Sequence, residues 1–243
     1  MGTILASAIF TEADGILLDE DKVRWPDSEK LVYLNAGQRQ AVIFKPDVYV
    51  VNDSYKLTAG TKQGLPDGSA SYTNPTGTTL RQGIQLLRLV RNMGMYGKSA
   101  GPAIAVIGQD LMDALDPDWH AADADAQVLN YMFNPEDPLH YYVTPPQPPT
   151  FQGYVEAIYS AIPADVEASG GVYDVAITIP DIWRDILLDY ILHRCYAKDA
   201  AISPYNAARA GEYWNQFVLG LERKDLVMRT WNPNVRRENP STE

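Results

Sequence analysis

The sequence has 243 residues, enough for one large domain, or one domain with an insertion, around a substantial hydrophobic core. Its net charge of −11 disfavours sequence-independent gripping of DNA or RNA, because an acidic chain is repelled by phosphate. The single cysteine, Cys195, excludes an intrachain disulfide, and no stretch reaches the length of a membrane span.

Two helices are predicted at the beginning of the chain. Apolar residues at helical spacing predict the first helix over residues 3–19. The second helix is predicted to start at Asp27 or Ser28, either of which can cap the first free N–H groups. It is predicted to end at Pro46, which lacks an N–H and disfavours helix at the residue before it. Residues 1–15 lack the basic region and the long apolar run of a signal peptide, so we expect a protein made in the cytoplasm.

The middle of the chain is predicted to be rich in strands, because short apolar runs alternate there with Gly, Pro, Asn and Asp. The predicted strands are Tyr55–Thr61, Ile84–Arg91 and residues 126–133, 139–146 and 154–163, with a short helix at residues 110–120. The turn NPEDP at residues 134–138 is predicted to join its two neighbouring strands as a hairpin. The run TPPQPPT, residues 144–150, is predicted to be an extended connection, since proline cannot donate along a strand ladder.

The end of the chain is predicted to be helical again. Four residues spaced by four predict a helix over residues 179–199, and Ser203 followed by Pro204 predicts the start of a second helix that runs to about Glu222. The four spaced residues are Trp183, Leu187, Ile191 and Cys195.

The order of helices, strands and helices predicts an α+β fold. We expect a helical bundle formed by the N- and C-terminal helices, with an inserted β-sheet domain. The predicted bounds are 1–47 plus 179–225 for the bundle, 48–178 for the inserted β-rich domain and 226–243 for a flexible C-terminal arm.

Three stretches suggest chemistry, and each has a structural explanation that is favoured. Residues 93–101 contain the Gly-Lys-Ser ending of a phosphate-binding loop, but the glycine that this motif requires five residues before Gly97 is Asn92, so a turn between strands is predicted. In EDPLHYYVTPP, residues 136–146, alternation places Leu139, Tyr141 and Val143 on one buried face and His140 on the other, which favours a structural strand.

The third stretch is DPDWHAADAD at residues 116–125, which gathers four aspartates around His120. A metal-dependent hydrolase built on this acidic cluster is one alternative function, although the motifs of known zinc and calcium sites are missing. A tail ligand-binding module that uses the tyrosine-bearing strands is another. The favoured interpretation is that the cluster is an exposed helix end, so no catalytic residue, cofactor or metal site is predicted.

Several segments in their order along the chain resemble one protein family. They are residues 25–40 (WPDSEKLVYLNAGQRQ), 57–66 (LTAGTKQGLP), 84–94 (IQLLRLVRNMG), 137–146 (DPLHYYVTPP) and 159–163 (YSAIP). The chain resembles the head-to-tail adaptor proteins of tailed bacteriophages, also called tail tubular protein A-like or neck proteins, over roughly residues 10–225.

This resemblance implies a structural virion protein without enzymatic activity. It implies a ring, typically of twelve copies, in the neck between capsid and tail, with the portal protein and a tail or nozzle protein as partners and with phage DNA passing through. It agrees with a helical bundle that carries an inserted β domain. It also implies that the C-terminal arm docks into the portal, where we expect Arg229, Trp231, Arg236 and Arg237 as interface residues, since Trp and Arg are frequent interface anchors.

Overall fold

A computed structural model of the chain describes residues 2–230, with the backbone alone at residues 95 and 223–230. The described residues contain five α-helices and eight strands. The helices are α1 (Ala6–Leu17), α2 (Asp27–Phe44), α3 (Gln109–Leu115), α4 (Arg184–Lys198) and α5 (Pro204–Thr230). The strands are β1 (Val50–Lys56), β2 (Gly60–Gly64), β3 (Gly83–Met93), β4 (Ala100–Ala103), β5 (Ala105–Val106), β6 (Asn130–Phe133), β7 (His140–Gln147) and β8 (Tyr154–Ala161).

The described chain divides into two compact units. Unit 1 contains the residues up to Lys45 and those from Asp165 onward, and unit 2 contains Pro46–Ala164. The predicted domain bounds stay a prediction.

Unit 1 is organised around α4, which packs against α5, α2 and α1. The predicted stripe on α4 is confirmed, since Leu187, Ile191 and Cys195 are fully buried and Trp183, just before the helix, is almost so. Close approach of α2 to α4 depends on Gly37, where an added Cβ would lie 2.9 Å from a ring carbon of Tyr190.

Unit 1 also contains an irregular segment, residues 165–179, in which Val166, Ile177 and Ile179 are buried. The Asn35 side chain on α2 donates to the Val166 carbonyl (3.0 Å) and accepts from its N–H (2.8 Å). Gln38, one turn further along α2, accepts from the backbone N–H of Thr178 at 2.8 Å. Buried amides on one helix face therefore satisfy the backbone of a segment that forms no helix.

Unit 2 contains two four-stranded sheets, in the orders β1-β8-β3-β4 and β2-β7-β6-β5. Every pair of neighbouring strands is antiparallel except β5 and β6. The sheets meet at the fully buried Tyr55 of β1 and Tyr141 of β7, whose hydroxyl groups hydrogen-bond at 2.9 Å. Burial raises the pKa of both phenols far above the usual value, so these groups stay neutral.

The predicted architecture of a terminal helical bundle around one inserted sheet domain is wrong, although the α+β class is right. The strands form two separate sheets that dominate the middle of the chain, and one helix, α3, lies among them. Residues 165–178, which the predicted bounds assign to the β-rich insertion, lie in unit 1, where Val166 and Thr178 hydrogen-bond to α2. The cause of the error is that a linear order of helices and strands does not determine which elements share a core.

The predicted strand Tyr55–Thr61 is wrong, because the chain turns inside it. β1 ends at Lys56 and β2 begins at Gly60, which has a φ of +93° that suits glycine. The buried side chain of Gln63 stabilises this turn: it accepts from the Thr58 N–H and donates to the carbonyls of Thr58 and Gly60, all within 2.9 Å.

The proline run predicted as a connection is partly strand, because β7 continues through Pro145 and Pro146 to Gln147. The prolines fall where the register between β7 and β2 shifts, so no ladder N–H is needed there. The hairpin of β6 and β7 is confirmed.

The predicted helices are confirmed with different ends. The N-cap of α2 is Pro26 without a side-chain cap, so the predicted capping by Asp27 or Ser28 is wrong. Asp27 instead lies in the first turn, where it pairs with Lys22 and Lys30. Helix α5 continues to Thr230, beyond its predicted end near Glu222.

Candidate interaction surfaces

Unit 2 has an open, mostly apolar groove of about 590 Å³. Its walls come from the end of β1, the β3–β4 turn and the segment just before β8, with Lys56, Met93, Tyr96, Pro102, Phe151 and Tyr154 among the lining residues. An open apolar groove of this kind is typical of a binding surface.

Two glycines allow the walls of the groove to approach each other. A Cβ at Gly153 would lie 2.0 Å from the Ala126 carbonyl oxygen, so no larger residue fits there. Gly97 has a φ of +73°, and a Cβ at this position would lie 2.9 Å from the Tyr154 ring. These contacts fix the β3–β4 turn and the segment before β8 as walls of the groove.

The rim of the groove carries two exposed aromatic side chains, Tyr96 (67% exposed) and Phe151 (80% exposed). Tyr96 has a φ of +56°, a left-handed conformation that is costly for a residue with a Cβ. Sequence reasoning missed this groove, because its walls come from separate segments of the chain.

Helix α3, also in unit 2, has no buried residue. Its Leu111 and Leu115 lie one turn apart on the same face and are 54% and 69% exposed. Residues 101–140 carry eight Asp or Glu and no Lys or Arg, and the aspartates in and after α3 are exposed. This helix is therefore an exposed apolar ridge flanked by negative charge.

Unit 1 has a second exposed apolar surface, formed by the loops that follow α1 and α4. Leu18 and Val23 are 90% and 83% exposed in the first loop, and Ile202 is 73% exposed in the second. Arg24 forms an ion pair with Asp199, which ties the two loops together, and Lys198 donates to the Arg24 carbonyl at 3.1 Å. Exposed apolar side chains held on an anchored pair of loops are typical of a contact surface.

The acidic cluster proposed for a metal is not assembled. His120 stacks on the buried Trp119, and its Nδ1 lies 2.8 Å from the Thr61 hydroxyl. Asp116 accepts from the Asp118 N–H and Asp125 from the Gln127 N–H. Among residues 2–230, no three His, Cys, Asp or Glu side chains come together as a group that could hold a metal ion.

His140 lies at the start of β7 and is a surface residue of the hairpin. Its Nδ1 lies 2.8 Å from Asp137, and this hydrogen bond lowers the pKa of the Asp137 carboxyl. The predicted burial of Tyr141 and Val143 is confirmed, but Leu139 is 47% exposed. The alternation therefore holds within the strand and fails at the turn before it.

The other sequence candidates lie in structural positions. The Gly-Lys-Ser stretch is a turn between β3 and β4, as predicted. Cys195 is fully buried, and burial raises the pKa of its thiol to about 12, which makes it a poor nucleophile.

The predicted portal-interface residues fall at the end of the chain. Trp231, Arg236 and Arg237 lie outside the described residues, and Arg229 lies in α5 where the backbone alone is described. Their predicted role is not tested. No helix among residues 2–230 has the length and apolarity that crossing a membrane requires.

Exposed apolar surfaces on both units are typical of a protein that associates with other macromolecules. A family model described as SU10 adaptor protein matches residues 4–238, nearly the whole chain, so the chain belongs to the SU10 adaptor protein family. This match confirms the resemblance to phage head-to-tail adaptors. The family gives the chain a structural role as a phage adaptor that associates with other virion components. No curated protein matches the chain.

Proposed function

We propose that the protein forms a ring in the neck of a tailed phage, between the portal and the tail, through which the DNA passes. The observation that carries this proposal is the family match over residues 4–238, which includes both units. By resemblance to head-to-tail adaptors, the ring has twelve copies, the partners are the portal protein and a tail or nozzle protein, and no enzymatic step is involved.

The surfaces of the chain support assembly with neighbours on more than one side. A ring requires heterologous contacts, in which two different patches of each copy meet. Unit 2 has a groove and a separate exposed helix, and unit 1 has an anchored pair of exposed apolar loops. These patches are separate surfaces that neighbouring copies and a further partner could contact.

The charge of the chain supports passage of DNA without tight binding. Its 31 acidic residues outnumber its 20 basic residues. A channel lined by a net acidic protein repels phosphate, so DNA slides through it more easily than through a basic channel. The C-terminal residues Arg229, Trp231, Arg236 and Arg237 are proposed to contact the portal.

The test is an electron-microscopy reconstruction of assembled particles without imposed symmetry at the neck. A closed ring between portal and tail, whose density fits units 1 and 2, is the expected result, and its symmetry gives the copy number. A well-resolved neck whose density excludes both units would refute the proposed function.

A further inference from the structure

Helix α3 is too short to be stable without packing against something else. It has seven residues, and isolated helices of this length are unstable in water. Within residues 2–230 no residue of α3 is buried: Met112 is half-buried and Asp113 accepts from the Trp119 indole N–H at 2.7 Å, but the face with Leu111 and Leu115 is exposed. Its amphipathic pattern, with Leu111 and Leu115 on one face, is that of a helix that docks through this face.

The groove of unit 2 has the shape and composition to receive such a helix. It is open and mostly apolar, and its volume of about 590 Å³ is large enough for several apolar side chains. Its exposed Phe151 and Tyr96 would lose their water contacts on docking, which favours association.

The charges of the two surfaces are complementary. Lys56 lines the groove, is exposed, and forms no ion pair with the described residues. Residues 46–100 carry six Lys or Arg against three Asp, whereas residues 101–140 carry eight acidic residues and no Lys or Arg. Lys56 is the charged residue among those that line the groove, and α3 lies in the acidic segment, so the two surfaces carry opposite charges.

We propose that the groove of one copy binds α3 of a second copy, with Leu111 and Leu115 in the groove and Asp110 facing Lys56. This inference rests on the proposed ring and identifies the surfaces through which neighbouring copies meet. The donor and acceptor surfaces are different patches of the same chain, so the contact is heterologous. Such contacts propagate head to tail and close into a ring when the rotation between copies permits.

Disulfide trapping tests the contact in the full-length protein. A double variant with Leu115→Cys and Phe151→Cys places one thiol on the ridge and one on the rim, and the native Cys195 is fully buried. Mild oxidation at high protein concentration is expected to give a ladder of covalent dimers, trimers and larger species. Both changes are at exposed positions and should not disturb folding. An unchanged melting temperature checks this expectation.

The matched control pairs Leu115→Cys with Val32→Cys, an exposed position on α2 of unit 1 that belongs to neither contact surface. A ladder that is absent, or no stronger than in this control, overturns the proposal. Covalent dimers without larger species overturn it as well, because a symmetric contact would stop at two copies.

Charge reversal tests the orientation of the docked helix. Lys56→Glu in the trapping background is expected to lower the ladder yield about five-fold, which corresponds to about 1 kcal/mol for a solvent-exposed ion pair. Adding Asp110→Lys should restore the yield. Equal yields from all three proteins would show that Asp110 does not face Lys56 and would overturn the proposed orientation.

The failure of this inference differs from the failure of the proposed function. A neck ring in the reconstruction, together with no trapping, would refute the groove contact and leave the adaptor function intact. A neck without the chain would refute the function whatever the trapping result.

Discussion

Lys30 is the residue whose environment differs most from that of an ordinary surface lysine. Its side chain is fully buried in unit 1, between Asp14 and Asp27, and its ammonium group lies 5.6 Å from the centre of the Phe10 ring. Lysine is almost never buried without partners, because desolvation of the charge is costly. The two carboxylates compensate for this cost, and Lys22 adds a second cation 2.6 Å from Asp27.

Removing the buried cation should destabilise the protein strongly. Lys30→Met leaves Asp14 buried without its nearest positive charge, and we expect a loss of about 3 kcal/mol in the free energy of unfolding. Denaturant titration measures this change. The control is Lys62→Met, which removes a 3.6 Å ion pair between exposed side chains and should cost less than about 1 kcal/mol. Equal losses in both variants would contradict the role of burial.

Asp189 on α4 should make stability depend on pH. Partial burial, and then repulsion from Asp185, raise its pKa from 3.8 to about 6. Between these two values the folded protein keeps a proton that the unfolded chain has released, so stability falls as pH rises through this window and stays lower above it.

The variant Asp189→Asn removes this cost. At pH 7.5 we expect a gain on the order of 1 kcal/mol after allowance for solvent screening, and no gain near pH 3.5. Thermal unfolding across this pH range measures the difference. Asp21→Asn, at an exposed position, is the control and should change stability by less than about 0.5 kcal/mol at either pH. A gain that is the same at both pH values would rule out titration of Asp189 as its cause.

At the scale of elements, glycine has opposite roles in two helices of unit 1. On α2, a Cβ at Gly37 would lie 2.9 Å from the buried Tyr190 ring of α4, whereas at Gly211 on α5 it would meet no atom within 4 Å. Gly37→Ala should therefore overpack the crossing and cost about 1–2 kcal/mol. Gly211→Ala should stabilise the protein by about 0.5–1 kcal/mol, because alanine favours helix. Chemical denaturation of both variants checks the signs, and a gain at Gly37 would show that the helices do not cross closely there.

The sequence predicted the helices of unit 1 well because their apolar spacing reports directly on burial. On α4 the spacing of four gives one face, and Leu187, Ile191 and Cys195 on that face are fully buried. The strands were harder to predict because the turns between them depend on individual side-chain contacts, which the alternating pattern does not show. The Gln63 side chain, for example, stabilises the turn before β2. A local pattern holds no information about such a contact.

The groove could not have been predicted from the sequence, because its walls come from separate segments. Lys56, Pro102 and Phe151 are far apart along the chain and meet through the order of strands in the first sheet and the segment before β8. The sequence did predict that the acidic cluster at residues 116–125 is exposed, but not that Leu111 and Leu115 form a ridge beside it.

At the scale of the whole molecule, charge is segregated along the chain in a way that suits assembly. The acidic excess lies in residues 101–140, whereas the last twenty residues carry Lys224, Arg229, Arg236 and Arg237. Opposite charges on different parts of one chain favour one orientation of neighbours over others. The same charges act over a range set by ionic strength, so assembly of the protein should weaken as salt rises.

The last prediction concerns the C-terminal residues and the portal. If Trp231 anchors the contact, Trp231→Ala should weaken binding of the full-length protein to purified portal by about 30-fold, which corresponds to about 2 kcal/mol for a central aromatic residue. Asn234→Ala changes the same segment without removing an aromatic or a charge, and it should bind as the wild type does. Binding is measured by titration of the portal, and incorporation into particles provides a second readout. Unchanged affinity and incorporation of the Trp231 variant would place the portal contact elsewhere, and the exposed loops of unit 1 at Leu18 and Val23 would then be the next surface to change.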